Sequence, residues 1–120
     1  SQFTDIPVPA GASINLEQTL ILGERETWIG RLTYDTELPP DRAFDFFSSE
    51  MPRFGWKTIT SSRSASNTLI FSRQKRAATI QISTQNFGGS IVSMTVSPLE
   101  TSDYSSSGKR DTGLEMRPLR

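Results

Sequence analysis

Residues 43–56 read AFDFFSSEMPRFGW and hold four phenylalanines, one methionine and one tryptophan. At 100° per residue, a helix through this stretch gathers its apolar side chains in one stripe, as a helix lying on a sheet requires. Burial of a Phe or Met side chain contributes about 1.5–3 kcal/mol, so the stripe together with a buried tryptophan predicts the anchor of the core. The stripe comprises Ala43, Phe44, Phe47, Met51 and Phe54, and the tryptophan is Trp56.

The predicted helix has sequence signals at both ends. Pro40 suits the first helical position, because the N–H that proline lacks would have no partner there. Pro52 would disrupt a longer helix, so the spacing predicts a helix from Pro40 to about Glu50. Phe46 lies on the opposite side from the stripe, where it either covers a sheet edge or contacts a partner protein.

Runs of alternating apolar and polar residues on both sides of the helix predict strands. Two runs, 13–22 and 27–36, precede the helix and are expected to form a hairpin; four runs follow it, at 56–60, 68–73, 77–84 and 90–98. The order β-β-α-β-β-β-β predicts an α+β fold, an antiparallel sheet of about five to six strands with one amphipathic helix packed on one face. The apolar residues at alternate positions that predict the first two strands are Ile14, Leu16, Leu20 and Leu22, then Trp28, Leu32 and Tyr34.

The composition divides the chain into three predicted parts. Residues 1–12 read as an extended lead-in, residues 13–98 as a single domain, and residues 99–120 as a flexible polar tail. The tail ends in Leu114, Met116 and Leu119, which dock either onto a partner or onto the domain itself. Phe87 lies beside two glycines at a predicted hairpin tip, where an exposed aromatic is a further candidate for protein contact.

The chain contains no cysteine and no histidine. Disulfides, thiolate metal sites and thiol nucleophiles are therefore excluded, and the commonest general base and metal ligand is absent. The helix carboxylates Asp41, Asp45 and Glu50 have no visible activating partner. The sequence therefore predicts a protein that is not an enzyme and that carries no cofactor and no metal.

The formal charge is zero, but no carboxylate occurs between Met51 and Leu99. Strand antiparallelism is expected to bring the basic residues of this segment together as a rim at one end of the sheet. The rim either solubilises that end or binds an anion such as nucleic acid or a phospholipid headgroup. Without interleaved aromatics the nucleic-acid signal is weak. The predicted rim consists of Arg53, Lys57, Arg73, Lys75 and Arg76.

Three segments, GRLTYDTELPPDRAFDFFSSEMPRFGWK, TLIFSRQKRAATIQI and VSMTVSP, resemble a group of small bacterial envelope proteins, many of them lipoproteins. In that group a helix ending in an MPxxGW-type turn precedes antiparallel strands. The resemblance implies a periplasmic or outer-membrane-associated location, with membrane attachment through an anchor upstream of this sequence; a cytoplasmic location stays open.

The sequence is compatible with three functions. The leading expectation is a non-catalytic accessory module that binds another envelope protein. The alternatives are an anion-binding module that uses the basic rim and an enzyme of unknown class.

Overall fold

The computed structural model describes residues 5–24, 27–63 and 67–99. Within these ranges the chain forms one α-helix and seven strands. The connections between them include 3₁₀ turns at Leu16–Gln18, Pro52–Phe54 and Asn86–Gly88. The elements are β1 (Ser13–Ile14), β2 (Leu20–Leu22), β3 (Ile29–Thr36), α1 (Pro40–Glu50), β4 (Lys57–Ser62), β5 (Asn67–Arg73), β6 (Arg76–Thr84) and β7 (Ser90–Pro98).

All seven strands belong to one antiparallel sheet. Their order is β1-β3-β7-β6-β5-β4, and β2 pairs with β3 on the same edge as β1. Strand β3, which precedes the helix, therefore pairs with β7, the last strand. This pairing joins residues that are about 60 positions apart in the sequence, such as Leu32 and Met94. The helix packs on one face, chiefly against β5 and β6. The structure confirms the predicted α+β class.

The helix forms where its sequence signals place it. Pro39 is the N-cap, Pro40 is the first helical residue, and the helix ends before Met51. Gly55 then adopts φ +93°, a left-handed conformation that glycine takes without strain, and turns the chain into β4. The apolar stripe is buried as predicted, except that its last member, Phe54, is half-buried.

The core lies between α1 and the sheet. Side chains of one parity from β3, β5, β6 and β7 point at the helix, because alternate residues of a strand face opposite sides of a sheet. Their partners across the strands are also core residues, so the layer is continuous. This layer contains Leu32 and Tyr34 of β3, Leu69 and Phe71 of β5, Ala78, Ile80 and Ile82 of β6, and Val92, Met94 and Val96 of β7.

The first predicted strand is interrupted. Residues 13–22 form β1, a 3₁₀ turn and β2, so the sheet has seven strands instead of the expected five to six. The turn begins where the Asn15 side chain accepts a hydrogen bond from the Glu17 N–H at 3.1 Å. Ile14 pairs with Tyr34 whereas Leu20 pairs with Arg31, so five residues (15–19) on one side of the ladder lie opposite two (32–33) on the other.

This interruption reverses the predicted parity of β2. Ile21, which pairs with Gly30, faces the helix side and packs against the core. The apolar parity that predicts the first strand is not buried: Ile14 and Leu16 are exposed, and the exposed fractions of Leu20 and Leu22 are 63% and 54%. Both leucines lie on the face of the sheet that the helix does not cover.

Gly30 allows the close approach of β2 to β3. Its φ is +138°, and a Cβ at this position would lie well inside contact distance of the Leu20 carbonyl oxygen. The position therefore combines a backbone conformation that L side chains rarely adopt with a steric exclusion of any side chain.

We expect Gly30→Ala to lower the free energy of unfolding by about 3 kcal/mol or more, measured by urea denaturation, because β2 must move away from β3. Gly88→Ala is the matched control, because Gly88 also has positive φ (+93°) but no heavy atom within 4 Å of the added Cβ. It should cost about 1 kcal/mol. Equal losses in the two variants would show that the approach of Leu20 is not the cause.

Candidate binding site on the open sheet face

The sheet face opposite α1 is largely uncharged. The residues of β5, β6 and β7 that point away from the helix carry hydroxyl, amide or aliphatic side chains and no formal charge. A molecule that covers this part of the sheet face would not have to remove water from charged side chains. These residues are Thr68, Ile70, Ser72, Ala77, Thr79, Gln81, Ser83, Ile91, Ser93, Thr95 and Ser97.

Two adjoining cavities of about 550 and 540 Å³ lie at one end of the sheet and share Ile29 and Pro98. We call them together the open-face groove. Both volumes fall in the range of about 300–1,000 Å³ that is typical of binding pockets. Thr27, Gln74, Lys75 and Arg76 complete the lining of the first cavity, and Glu17, Gln18, Thr19, Leu20, Leu22, Gly30, Arg31, Thr95, Val96 and Ser97 complete that of the second.

Aliphatic side chains supply the contact surface of the groove. Leu20 and Leu22 project into it from β2, and Ile29 is half-buried at its centre. Contiguous exposed apolar surface with a polar surround is a common feature of interaction sites. The groove is therefore the apolar part of an otherwise polar face.

A 3₁₀ turn, Leu16–Gln18, forms one wall of the groove and is fixed to β3 through Thr33. The Thr33 hydroxyl donates to the Gln18 carbonyl oxygen at 3.0 Å, and the Thr33 N–H donates to the Thr19 hydroxyl at 3.0 Å. The Asn15 N–H donates to the Thr33 carbonyl oxygen at 2.8 Å. These bonds explain why Thr33 is buried although it points away from the helix, and they make the wall rigid.

The charges of the groove are unevenly distributed. Lys75 lines the first cavity, whereas Arg31 and Glu17 both line the second. All three are exposed, and none forms an ion pair with any residue that the structure describes.

A buried ionic cluster lies behind the first cavity. The Asp5 carboxylate accepts hydrogen bonds from Trp28 Nε1 at 3.1 Å and from Arg76 Nη2 at 2.6 Å, and Arg73 Nη1 is 4.0 Å away. Arg76 also donates to the Trp28 carbonyl oxygen at 2.9 Å. The Asp5 carbonyl oxygen accepts from Trp56 Nε1 at 2.7 Å, so the lead-in is held by both main chain and side chain.

This cluster changes the composition of the predicted basic rim. Arg76 is 7% exposed and Arg73 is half-buried, and Asp5 lies against both guanidinium groups. Neither arginine therefore belongs to an exposed cationic surface. Arg53, Lys57 and Lys75 are the three members that are exposed.

The predicted aromatic contact residues differ in their surroundings. Phe46 is half-buried and meets the Phe47 ring edge to face at 5.1 Å, so it packs against the core. Phe87 is fully exposed, with φ +68°, in the turn between β6 and β7. Leu114, Met116 and Leu119 lie outside the described residues.

The Tyr34 hydroxyl is buried between the sheet and the helix without a hydrogen-bond partner among the described residues. Burial raises the pKa of the Tyr34 phenol well above its ordinary value, so it stays protonated in the folded protein. A buried hydroxyl without a partner costs about 1–3 kcal/mol of stability.

Sequence reasoning missed Asp5 and Ile29. A signal for Asp5 was available, because two buried indole N–H groups and a buried arginine together require an acceptor. Ile29 gave no signal, since a single aliphatic residue on the polar parity of a strand is common.

The described ranges contain no group of three or more acidic, histidine or cysteine side chains placed to hold a metal ion. No helix found in them has the length and apolar character needed to span a membrane.

Comparison with known proteins gives one match. A family model described as START domain-like matches residues 24–105, which include β3 through β7 and α1. No curated protein and no solved structure matches the chain.

We expect Asp5→Asn to lower the free energy of unfolding by about 3 kcal/mol, because two guanidinium groups lose their buried counter-ion. Urea denaturation followed by tryptophan fluorescence measures the loss. Glu37→Gln, which neutralises an exposed carboxylate, should change stability by less than about 0.5 kcal/mol. A loss below about 1 kcal/mol in Asp5→Asn would contradict the assignment of Asp5 as the counter-ion.

We expect Tyr34→Phe to raise the free energy of unfolding by about 1 kcal/mol at neutral pH, because it removes the buried hydroxyl. Above about pH 10 the unfolded chain releases the tyrosine proton while the folded chain keeps it, so the wild type loses stability as pH rises and the variant loses less. Urea denaturation at about pH 7 and pH 11 tests both statements. A less stable variant at neutral pH would mean that the hydroxyl has a bound partner such as water.

Proposed function

The chain belongs to the START domain-like family, and on that premise we propose that it is a non-catalytic binding module whose open-face groove takes up an apolar segment of another protein. The observation that carries the proposal is the exposure of Leu20 and Leu22 in the second cavity of the groove, beside the wall at Leu16–Gln18. Their exposure follows from the interruption of the first strand, which turns both side chains away from the core.

The shape of the groove favours a protein segment over a small molecule. Pockets for small molecules bury about 70–90% of the ligand surface. Here the wall at Leu16–Gln18 lines one side, and beyond the β7 residues of the lining the open face of the sheet continues through β6 and β5. An extended chain fits this shape, because it covers the apolar groove and also reaches the hydroxyl-rich floor.

The lining of the groove supports a role without catalysis. Glu17 is the one carboxylate among its lining residues, and it faces the groove from the wall turn without an ion-pair partner among the described residues. A pair of carboxylates with separated pKa values, or a nucleophile beside a base, is the usual minimum for hydrolytic chemistry. We therefore place an enzyme function last among the candidates.

The anion-binding alternative would rest on Arg53, Lys57 and Lys75. The other two cations of the predicted rim, Arg73 and Arg76, already face Asp5. Three exposed charges are weaker support than the groove, because each exposed ion pair contributes about 0–1 kcal/mol.

The cellular location is part of the proposal. The resemblance of residues 30–57, 68–82 and 92–98 to small envelope proteins supports a periplasmic or outer-membrane-associated module with another envelope protein as its partner.

A photo-crosslinking residue placed at position 22 of the full chain should capture a partner protein in cells of the native host, because this position lies in the groove. The same residue at position 59 is the matched control, since Leu22 and Ile59 are 54% and 56% exposed and Ile59 lies on the edge strand β4. An SDS gel probed for the chain should show a discrete larger adduct from position 22 alone. Equal labelling from both positions, or none from position 22, would refute the proposal.

A further inference from the structure

We infer that the open-face groove is occupied by residues 114–119 of the chain itself when no partner is bound, so that the partner binds by displacing them. We call residues 114–119 the terminal segment. This inference rests on the proposed function of the groove. It adds a competing occupant, and with it a regulation of the same site.

The described part of the chain ends at the groove. Pro98, the last residue of β7, lines both cavities. The Leu99 N–H donates a hydrogen bond to the Lys75 carbonyl oxygen at 2.7 Å, and Lys75 lines the first cavity. The residues that follow Leu99 therefore begin beside the first cavity.

The connection from Leu99 to the terminal segment consists of the fourteen residues 100–113. A chain of that length reaches at most about 46–50 Å. The groove extends from the turn at Lys75 to Arg31, which pairs with Thr95, four residues before Leu99. At about 3.3 Å per residue this distance is about 13 Å. The connection is therefore long enough for the terminal segment to lie anywhere along the groove.

The terminal segment has the residue pattern of an extended apolar ligand. It reads LEMRPL, and in an extended chain Leu114 and Met116 fall on one side while Glu115 and Arg117 fall on the other. Pro118 disfavours the helical conformation at the residue before it, which favours extended binding over helical binding. By contrast, the connection 100–113 has eight Ser, Thr or Gly residues and a single large apolar residue, Tyr104.

The apolar side chains of the terminal segment match those of the groove in spacing. Leu20 and Leu22 lie two residues apart on the same side of β2, and both line the second cavity. Leu114 and Met116 repeat this spacing, and the flexible Met side chain adapts to an irregular surface. Leu119 supplies a third apolar side chain. The terminal segment can therefore cover the two leucines that the fold leaves in water.

Attachment to the same chain makes a weak contact sufficient. A short tether raises the local concentration of a bound segment to the millimolar range. At a local concentration of about 1 mM and a dissociation constant of about 0.1 mM, the groove is filled about ten times as often as it is empty. The affinity for the partner is then about tenfold weaker than that of an empty groove, because only the empty fraction is competent to bind.

Photo-crosslinking in the purified full chain identifies the occupant. A photo-reactive residue at position 22 should form a bond to residues 114–119, in a product that keeps the mass of the monomer and is mapped by mass spectrometry after digestion. The same residue at position 59 is the matched control, because Ile59 is equally exposed and lies on β4, at the opposite edge of the sheet from β2. It should form no bond to the terminal segment.

Fluorescence anisotropy measures the competition, with a labelled peptide of residues 112–120 as the probe. The full chain with Leu114→Ser, Met116→Ser and Leu119→Ser together should bind this peptide about tenfold more tightly than the wild type, because its own segment no longer competes. Tyr104→Ser, which removes the large apolar residue of the connection, should bind it as weakly as the wild type. Leu22→Ser added to the triple variant should weaken binding. Circular dichroism confirms that each variant is folded.

Three results would overturn the inference. Equal binding of the peptide to the wild type and the triple variant, with loss in Leu22→Ser, would leave the groove as a binding site and refute its occupation by the terminal segment. Binding to neither protein would refute the terminal segment as a ligand, and the adduct from position 22 in cells would then decide the proposed function separately. A crosslinked product with the mass of a dimer would identify the terminal segment of a second copy as the occupant.

Discussion

The buried carboxylate of Asp5 is the interaction on which the arrangement of this domain depends. It joins the lead-in to Trp28 at the start of β3 and to Arg76 at the start of β6, which are 23 and 71 residues away in sequence. A guanidinium in the interior without a counter-ion costs several kcal/mol, so Arg76 can occupy its position only while Asp5 does. The guanidinium of Arg76 also lies 5.3 Å from the Trp56 ring, which connects the same ion pair to the end of the helix. The first described residue of the chain thus holds together the end of the sheet at which the groove lies.

The same ion pair decides which basic residues remain exposed. Five basic residues converge on this end of the sheet, but Asp5 faces Arg73 and Arg76 and withdraws them from the surface. Lys75, which is exposed, and Arg76, which is buried against Asp5, both line the first cavity. Two buried or half-buried arginines with a structural role and one exposed lysine therefore lie within four residues of one another. Substitution of the arginines would destabilise the fold, whereas substitution of the lysine alters the surface.

The parts of the structure that follow local rules could be predicted from the sequence. The helix bounds follow from Pro40 and Pro52, and the burial of Phe47 and Met51 follows from helical periodicity. The four later strands follow from alternation between clear turns. The interruption of the first strand could not be predicted in this way, because it arises from a side-chain hydrogen bond of Asn15 and from the pairing of Thr33 with Thr19. The groove has the same origin. Alternation alone puts Leu20 and Leu22 on the apolar side of the predicted strand, whereas the interruption exposes them.

The exposure of these leucines needs a cause beyond the fold. Apolar surface left in water forgoes about 25 cal/mol per Å², and a polar residue at either position would satisfy the pairing of β2 with β3 equally well. The edge strand itself is short, with three residues, which is how natural sheets limit association through unpaired backbone groups. Self-association through the edge therefore does not explain the two leucines. Their placement does make sense if they are covered in a complex, since a rigid wall, an apolar groove and an uncharged floor lie side by side on the one face that the helix leaves open.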